Sequence, residues 1–256
     1  MSVYGLCDTC NNTAGVLYDR PYKEFADLLR PHWVRNWTVD LPRTIGLPSG
    51  SIRPGAIARS ILLGMAALTP TWMFENWPTF MPALLDPDVS PPLPDDVHLM
   101  MAYSRGQTGR LEGFSTTIIN PRHEPLISYA SVYFAPLAWQ LVASNNVRSM
   151  QRSGWAEVSN WLNFPVEESH DLRQLVQSMA ATAHPLHDPR HRHSAYAHMA
   201  SDETSVLVET FDVLGGNHKG TAELQMHLQE QVFLPLPEDG NLTPEWILAN
   251  TATRRR

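Results

Sequence analysis

Hydrophobic positions along this chain recur mostly at helical intervals. Phe25, Leu28, Leu29 and Trp33 fall on one face of a helix that begins near Tyr22, and Pro31 sits inside the pattern and breaks it. Residues 1–19 show neither helical nor strand periodicity and read as an extended N-terminal arm. Pro54 suits a first helical position, and the segment from there to Leu68 predicts a central helix. Ile57, Ile61, Leu62, Met65 and Leu68 fill its flanks, while Ala56, Ser60, Gly64 and Ala67 form a strip of small residues that lets another helix approach closely.

Alternation of period two is confined to one place. Phe114, Thr116 and Ile118 alternate, as do Leu126, Ser128 and Ala130. With the turn residues Asn120-Pro121-Arg122-His123 between them, 111–119 and 125–134 read as a hairpin. Residues 137–162 read as mostly helical. Pro165 opens a further helix with Glu167 and Glu168 in its first turn and Leu172, Leu175, Val176 and Met179 as its buried stripe. His184–His198 reads as a loop. A helix capped by Ser201 or Thr204 carries Val206, Val208, Phe211 and Leu214 and stops at Gly215-Gly216. Thr221–Val232 is one more helix, and Thr243-Pro244-Glu245 starts a short last one. The expected fold is therefore mainly α with a small β-hairpin: an arm (1–19), a single helical core (20–233) and a C-terminal extension (234–256). The proline- and aspartate-rich segment Asp86–Asp96 is the one internal boundary candidate.

Composition adds an interface. Eight tryptophans accompany a charged fraction of 18%, a combination that fits a self-associating protein better than a lone monomer. The N-terminus has no basic region followed by an apolar run, and the stretch Ser60–Phe74 is interrupted by Pro70 and too short to span a bilayer, so the reading is a cytoplasmic protein without a membrane partner. Net charge is −7, yet seventeen arginines stand against two lysines, Lys23 and Lys219. Arginine's flat fork of donors grips phosphate at two points, although a GC-rich genome also favours its codons. Two basic blocks, 20–60 and 105–155, are set against an acidic stretch over 156–253; folded together, the blocks make one basic face or neutralise acidic partners across a subunit contact.

Candidate chemistry is sparse. Five of the eleven histidines lie between His184 and His198, and His187, His191 and His193 are candidate metal ligands, though a solvated polar loop explains them as well. Cys7 and Cys10 have the spacing of half a zinc site and no second pair to complete it. The glycines around Lys219 lack phosphate-loop spacing, and no nucleophile-elbow, β-lactamase or kinase motif is present. No cofactor and no catalytic residue is assigned. What is left is a distributed signal for nucleic acid. Arg30, Arg35, Arg43, Arg53 and Arg59 accompany Trp33 and Trp37, while Arg105, Arg110, Arg122, Arg148 and Arg152 accompany Tyr103 and Trp155. Cations interleaved with aromatics suit phosphates and stacked bases.

Proline (21), alanine (22) and serine (18) make up about a quarter of the chain. With arginine favoured over lysine, an N-terminal arm and no catalytic motif, the layout resembles the proline-alanine-serine-rich proteins of polymycoviruses. The resemblance lies in composition and layout, so no family residue is carried over. It implies a viral structural protein that self-associates, at least as a dimer, and coats double-stranded RNA non-specifically. The predicted contacts are Arg30, Arg35, Arg43, Arg53, Arg59, Arg148 and Arg152, with Arg53 and Arg59 central. A metal-dependent enzyme or zinc-stabilised module built on the His184–His198 loop is the alternative, and a protein–protein adaptor is the third reading.

Overall fold

A computed structural model describes residues 12–32, 44–66, 77–104, 110–112, 115–118, 126–134, 136–182, 197–199, 205–218, 221–235 and 249. The helices are α1 (Arg20–Leu29), α2 (Pro54–Ala66), α3 (Phe80–Leu85), α4 (Ser144–Arg152) and α5 (Leu172–Leu175). The strands are β1 (Thr44–Gly46), β2 (Ser51–Ile52), β3 (Val97–Ser104), β4 (Arg110–Glu112), β5 (Ser115–Ile118), β6 (Leu126–Phe134), β7 (Leu137–Ala143), β8 (Ala156–Glu157), β9 (His170–Asp171), β10 (Ser178–Thr182), β11 (Ala197–Met199), β12 (Ser205–His218) and β13 (Thr221–Pro235).

The expected mainly helical fold is corrected by an eleven-stranded mixed sheet. Its main path runs β1-β10-β3-β7-β6-β5-β12-β13, with β4, β8 and β11 beside it, while β2 and β9 form a separate pair. Most neighbours are antiparallel; β10 with β3, β11 with β4 and β12 with β5 are parallel. The predicted hairpin is present, since β4 and β5 both pair antiparallel with β6, but it is one part of this larger sheet. The turn expected at 120–123 lies outside the described residues.

Burial on both faces explains why the central strands escape a periodicity reading. Along β3 and β7, alternate side chains point to opposite faces. Leu99, Met101, Tyr103, Leu137, Trp139 and Leu141 join a core with Phe25 and Leu29 of α1 and Ile57, Ile61 and Leu62 of α2. Met100, Ala102, Ala138 and Val142 face the other way, into a second cluster with Met150 of α4 and with Trp155. A strand covered on both sides is a continuous apolar run rather than an alternation, and such a run cannot be told from a buried helix by period alone. The first seven residues of the expected helical stretch 137–162 are therefore β7, and only Ser144–Arg152 and the 3-10 turn Ser159–Asn163 are helical there. α4 ends at Ser153 because Gly154 adopts φ +84°, a left-handed position where a side chain is strained.

Three further expectations change. Residues 12–19 are helical rather than part of an arm, through the π-turn Gly15–Asp19; Tyr18 is fully buried and donates to the Leu84 carbonyl at 3.0 Å. Pro165 opens a turn, closed by Glu168 N–H on the Pro165 carbonyl at 3.1 Å, and the helix that follows it is the single turn α5. The two helices expected over 201–232 are the strands β12 and β13, paired antiparallel from Ser205↔Pro235 to His218↔Thr221. Gly215 and Gly216 lie inside β12 instead of ending a helix, and a register shift between Thr210 and Phe211 breaks the strand alternation. β13 is rich in good helix formers such as Ala222, Glu223, Leu224, Gln225 and Met226, so strand pairing overrides local propensity. Other expectations hold. α1 buries Phe25 and Leu29 and gives way at Arg30 to a 3-10 turn that holds Pro31. α2 is the central helix, and 86–96 holds no regular element, while Leu84 before it and Val97 after it belong to one hydrophobic cluster.

Asp171 fastens the small β2–β9 sheet. Its carboxylate accepts from the Ser49 hydroxyl, from Gly50 N–H at 3.1 Å and from Arg173 N–H at 2.9 Å, so it also caps α5. The Ser49 hydroxyl first, then the backbone amides, hold this carboxyl below its ordinary value of 3.8. A depressed folded pKa stabilises above the unfolded value and loses that contribution as pH falls through the folded one. Asp171→Asn is therefore expected to lower the urea midpoint at neutral pH. The gap from the parent protein should close as pH falls below about 4. A gap that stays constant between neutral pH and the acid limb contradicts this role.

Candidate nucleic-acid interface

The arginines singled out in the sequence separate by layer. Arg30, Arg53 and Arg59 belong to the α1–α2 layer on one face of the sheet, and Arg148 and Arg152 to α4 on the opposite face. The two basic blocks thus do not merge into one basic face among the described residues. Arg35 and Arg43 lie outside the described residues, as do Trp33, Trp37, Arg105 and Arg122.

The first block is largely spent on its own acids. Arg30 is exposed and bridges Asp27 at 3.1 Å, while Lys23 reaches the other oxygen of the same carboxylate at 3.0 Å. Arg20 pairs with Glu24 at 2.8 Å, and this guanidinium holds the Glu24 carboxyl below its ordinary value. Arg53 sits 3.2 Å from Glu167 and 3.7 Å from Glu24, which ties the β2–α2 junction to the 165–169 turn. Exposed pairs of this kind contribute little to stability, but they leave less cation for a phosphate.

Arg59 is not a surface residue at all. It is 1% exposed; Nη1 donates to the Gly55 carbonyl at 3.2 Å, Nη2 donates to the Val89 carbonyl, and Nε has no acceptor among the described residues. Burial lowers its pKa, with Tyr18 and Asp86 acting in the opposite direction. Its place as a central phosphate contact is corrected: it holds the 86–96 segment against α2. The signal was available, because the residues three and four positions away on either side are Gly55, Ala56, Leu62 and Leu63, an apolar face. The aromatic platforms of the second block are likewise withdrawn. Tyr103 is 2% and Trp155 8% exposed, and Trp155 meets Tyr133 edge-on at 6.2 Å inside the second cluster.

Arg148 and Arg152 are different. Both are exposed, they stand four residues apart on α4, and neither has a carboxylate within 4 Å among the described residues. Four-residue spacing places them on the same side of the helix. The remaining exposed side chains of α4 are Ser144, Asn145, Ser149 and Gln151, so this face carries two positive charges and no acid. Asn146 and Met150 anchor its inner side, with Asn146 Nδ2 donating to the Ile127 carbonyl at 3.2 Å.

The candidate metal ligands His187, His191, His193, Cys7 and Cys10 lie outside the described residues. Among the described residues, no group of three His, Cys, Asp or Glu side chains is placed to hold a metal ion, and no helix is long and apolar enough to cross a membrane. A polar cluster that sequence reasoning missed stands at the start of α4, where Ser144, His98 and Glu157 meet. The chain matches no protein-family model, no curated protein and no solved structure.

Proposed function

We propose that this protein associates with itself and binds RNA non-specifically through the outer face of α4. The observation that carries the reading is the pair Arg148 and Arg152, exposed together on a helix face without acids. Exposed arginines hold phosphate oxygens in a sequence-independent way and release condensed counterions as they do so. The layout shared with the proline-alanine-serine-rich RNA-coating proteins points the same way, toward double-stranded RNA.

Self-association has its own support. Among the described residues β13, fifteen residues long, ends the sheet path with β12 as its neighbour. A long edge strand presents a row of backbone donors and acceptors, and a second copy of the same strand satisfies them. Light scattering across a concentration series is expected to give a dimer or larger; a monomer throughout removes this half of the reading. For the RNA half, Arg148→Ala/Arg152→Ala is expected to weaken binding of a double-stranded RNA by about tenfold at moderate salt, read by fluorescence anisotropy. Equal affinity of the double variant and the parent removes the α4 surface.

A further inference from the structure

Ser144 is the first residue of α4 and follows the last residue of β7 directly. Its amide donates to the Asp96 carbonyl at 2.9 Å, which fixes the junction, and its side chain is exposed. Ser144 Oγ lies 2.9 Å from His98 Nε2. On the far side of the same ring, His98 Nδ1 is 3.7 Å from Glu157 Oε1. That carboxylate oxygen is held in turn by Ser159 N–H at 3.0 Å. The order arises from the sheet: β3 carries His98 between β7, which delivers Ser144, and β8, which carries Glu157.

We propose that Ser144, His98 and Glu157 form a serine-nucleophile site that hydrolyses carboxylic esters. The inference goes beyond the RNA-binding reading and does not rest on it. A nucleophile, a base within hydrogen-bond reach and a carboxylate that orients the base are recognised by geometry rather than by sequence order. Glu157 facing Nδ1 favours the tautomer with its proton there, which leaves the Nε2 lone pair toward the Ser144 hydroxyl. The 3.7 Å separation is long, as such contacts often are before substrate binds. The hydroxyl also lies 3.3 Å from the Asp95 carbonyl, a second and longer acceptor.

In the first step Ser144 Oγ attacks the ester carbonyl carbon, its proton passes to His98 Nε2, and the carbonyl oxygen takes the electron pair. Among the described residues no side chain caps α4, so the first-turn amides that follow Ser144 are the donors for that oxyanion, aided by the positive end of the helix. Collapse of the intermediate breaks the bond to the alcohol oxygen, which leaves with the proton from His98. Water then attacks the acyl-serine, His98 takes its proton and returns it to Ser144 Oγ, and the acid is released. Ser144 and His98 are the catalytic residues, and Glu157 is a positioning residue.

The test is covalent labelling of the full-length protein by a fluorophosphonate, with the adduct mapped by mass spectrometry. A stoichiometric adduct on Ser144 in the folded parent protein is expected, with none in Ser144→Ala. The labelling rate is expected to fall roughly 10²–10⁴-fold in His98→Gln and in Glu157→Gln. Glu157→Asp should label faster than Glu157→Gln, which a purely structural carboxylate does not require. RNA affinity should be unchanged in His98→Gln, since His98 lies on β3 and not on α4, and labelling unchanged in Arg148→Ala/Arg152→Ala, so the two proposals fail separately. Absence of a Ser144 adduct in the folded parent protein overturns this one, as does an unchanged labelling rate in His98→Gln.

Discussion

Trp139→Ala is expected to destabilise the protein by about 3–5 kcal/mol, the range for removing a large aromatic from a packed core. Trp139 lies in the middle of β7 and is fully buried. Its ring meets Phe25 at 6.4 Å and Trp161 at 6.5 Å, both edge-on, and Tyr22 at 6.3 Å. One side chain therefore joins the sheet to α1 and to the 3-10 turn over Ser159–Asn163. Nε1 also donates to the Tyr22 hydroxyl at 3.1 Å, and burial pushes that phenol up to about 12. Alanine leaves a cavity and takes the donor from the part-buried Tyr22 hydroxyl, so the transfer and hydrogen-bond losses add. Trp139→Phe keeps most of the ring contact and is expected to lose far less. Equilibrium urea unfolding of the two variants checks the pair. Similar stability for alanine and the parent protein contradicts the packing of the sheet on α1.

Gly55→Ala is the second large effect. A Cβ built on Gly55 meets the Phe164 carbonyl oxygen at 2.2 Å, its carbon at 3.0 Å and the Pro165 oxygen at 3.1 Å. These are backbone atoms, so relief requires moving either α2 or the 164–165 segment. Overpacking of this kind costs about 1–3 kcal/mol or more. Gly64 on the same helix has nothing among the described residues within 4 Å of its Cβ position. Gly64→Ala is therefore expected to stabilise by about 0.5–1 kcal/mol through helix propensity alone. Thermal unfolding of the two variants should shift in opposite directions; a shift in the same direction contradicts the close approach at Gly55. The small-residue strip read from the sequence misses this approach. Within the chain the tight contact falls on Gly55, one residue before Ala56, while Gly64 meets nothing among the described residues.

What the sequence discloses follows from how many sides of an element are covered. α1 has one buried face and a charged one, so its apolar interval is clean. β5 and β6 alternate and are readable as strands. β3 and β7 are enclosed by two layers, and enclosure erases the alternation that marks a strand. β12 and β13 depend on each other across the sheet, and nothing local in Thr221–Pro235 announces a partner at Ser205–His218. The same logic governs the sites. Arg53 meets Glu167 from 114 positions away, a pairing no local window contains. Ser144 stands 46 positions from His98, in a stretch whose helical reading places it mid-helix instead of at a strand–helix junction. Arg148 and Arg152 fall in a stretch read as helical, and their four-residue spacing on one side of α4 is a local property of the sequence, although the aromatic partners expected beside them are buried.

The most direct test of RNA binding by α4 is the salt dependence of that binding. The slope of log Kobs against log salt concentration for a double-stranded RNA measures how many phosphates the protein neutralises. The parent protein is expected to bind with a steep negative slope, and Arg148→Ala/Arg152→Ala with a slope shallower by roughly 2, about one unit for each arginine. A parent slope near zero, or one that the double variant leaves unchanged, contradicts the account.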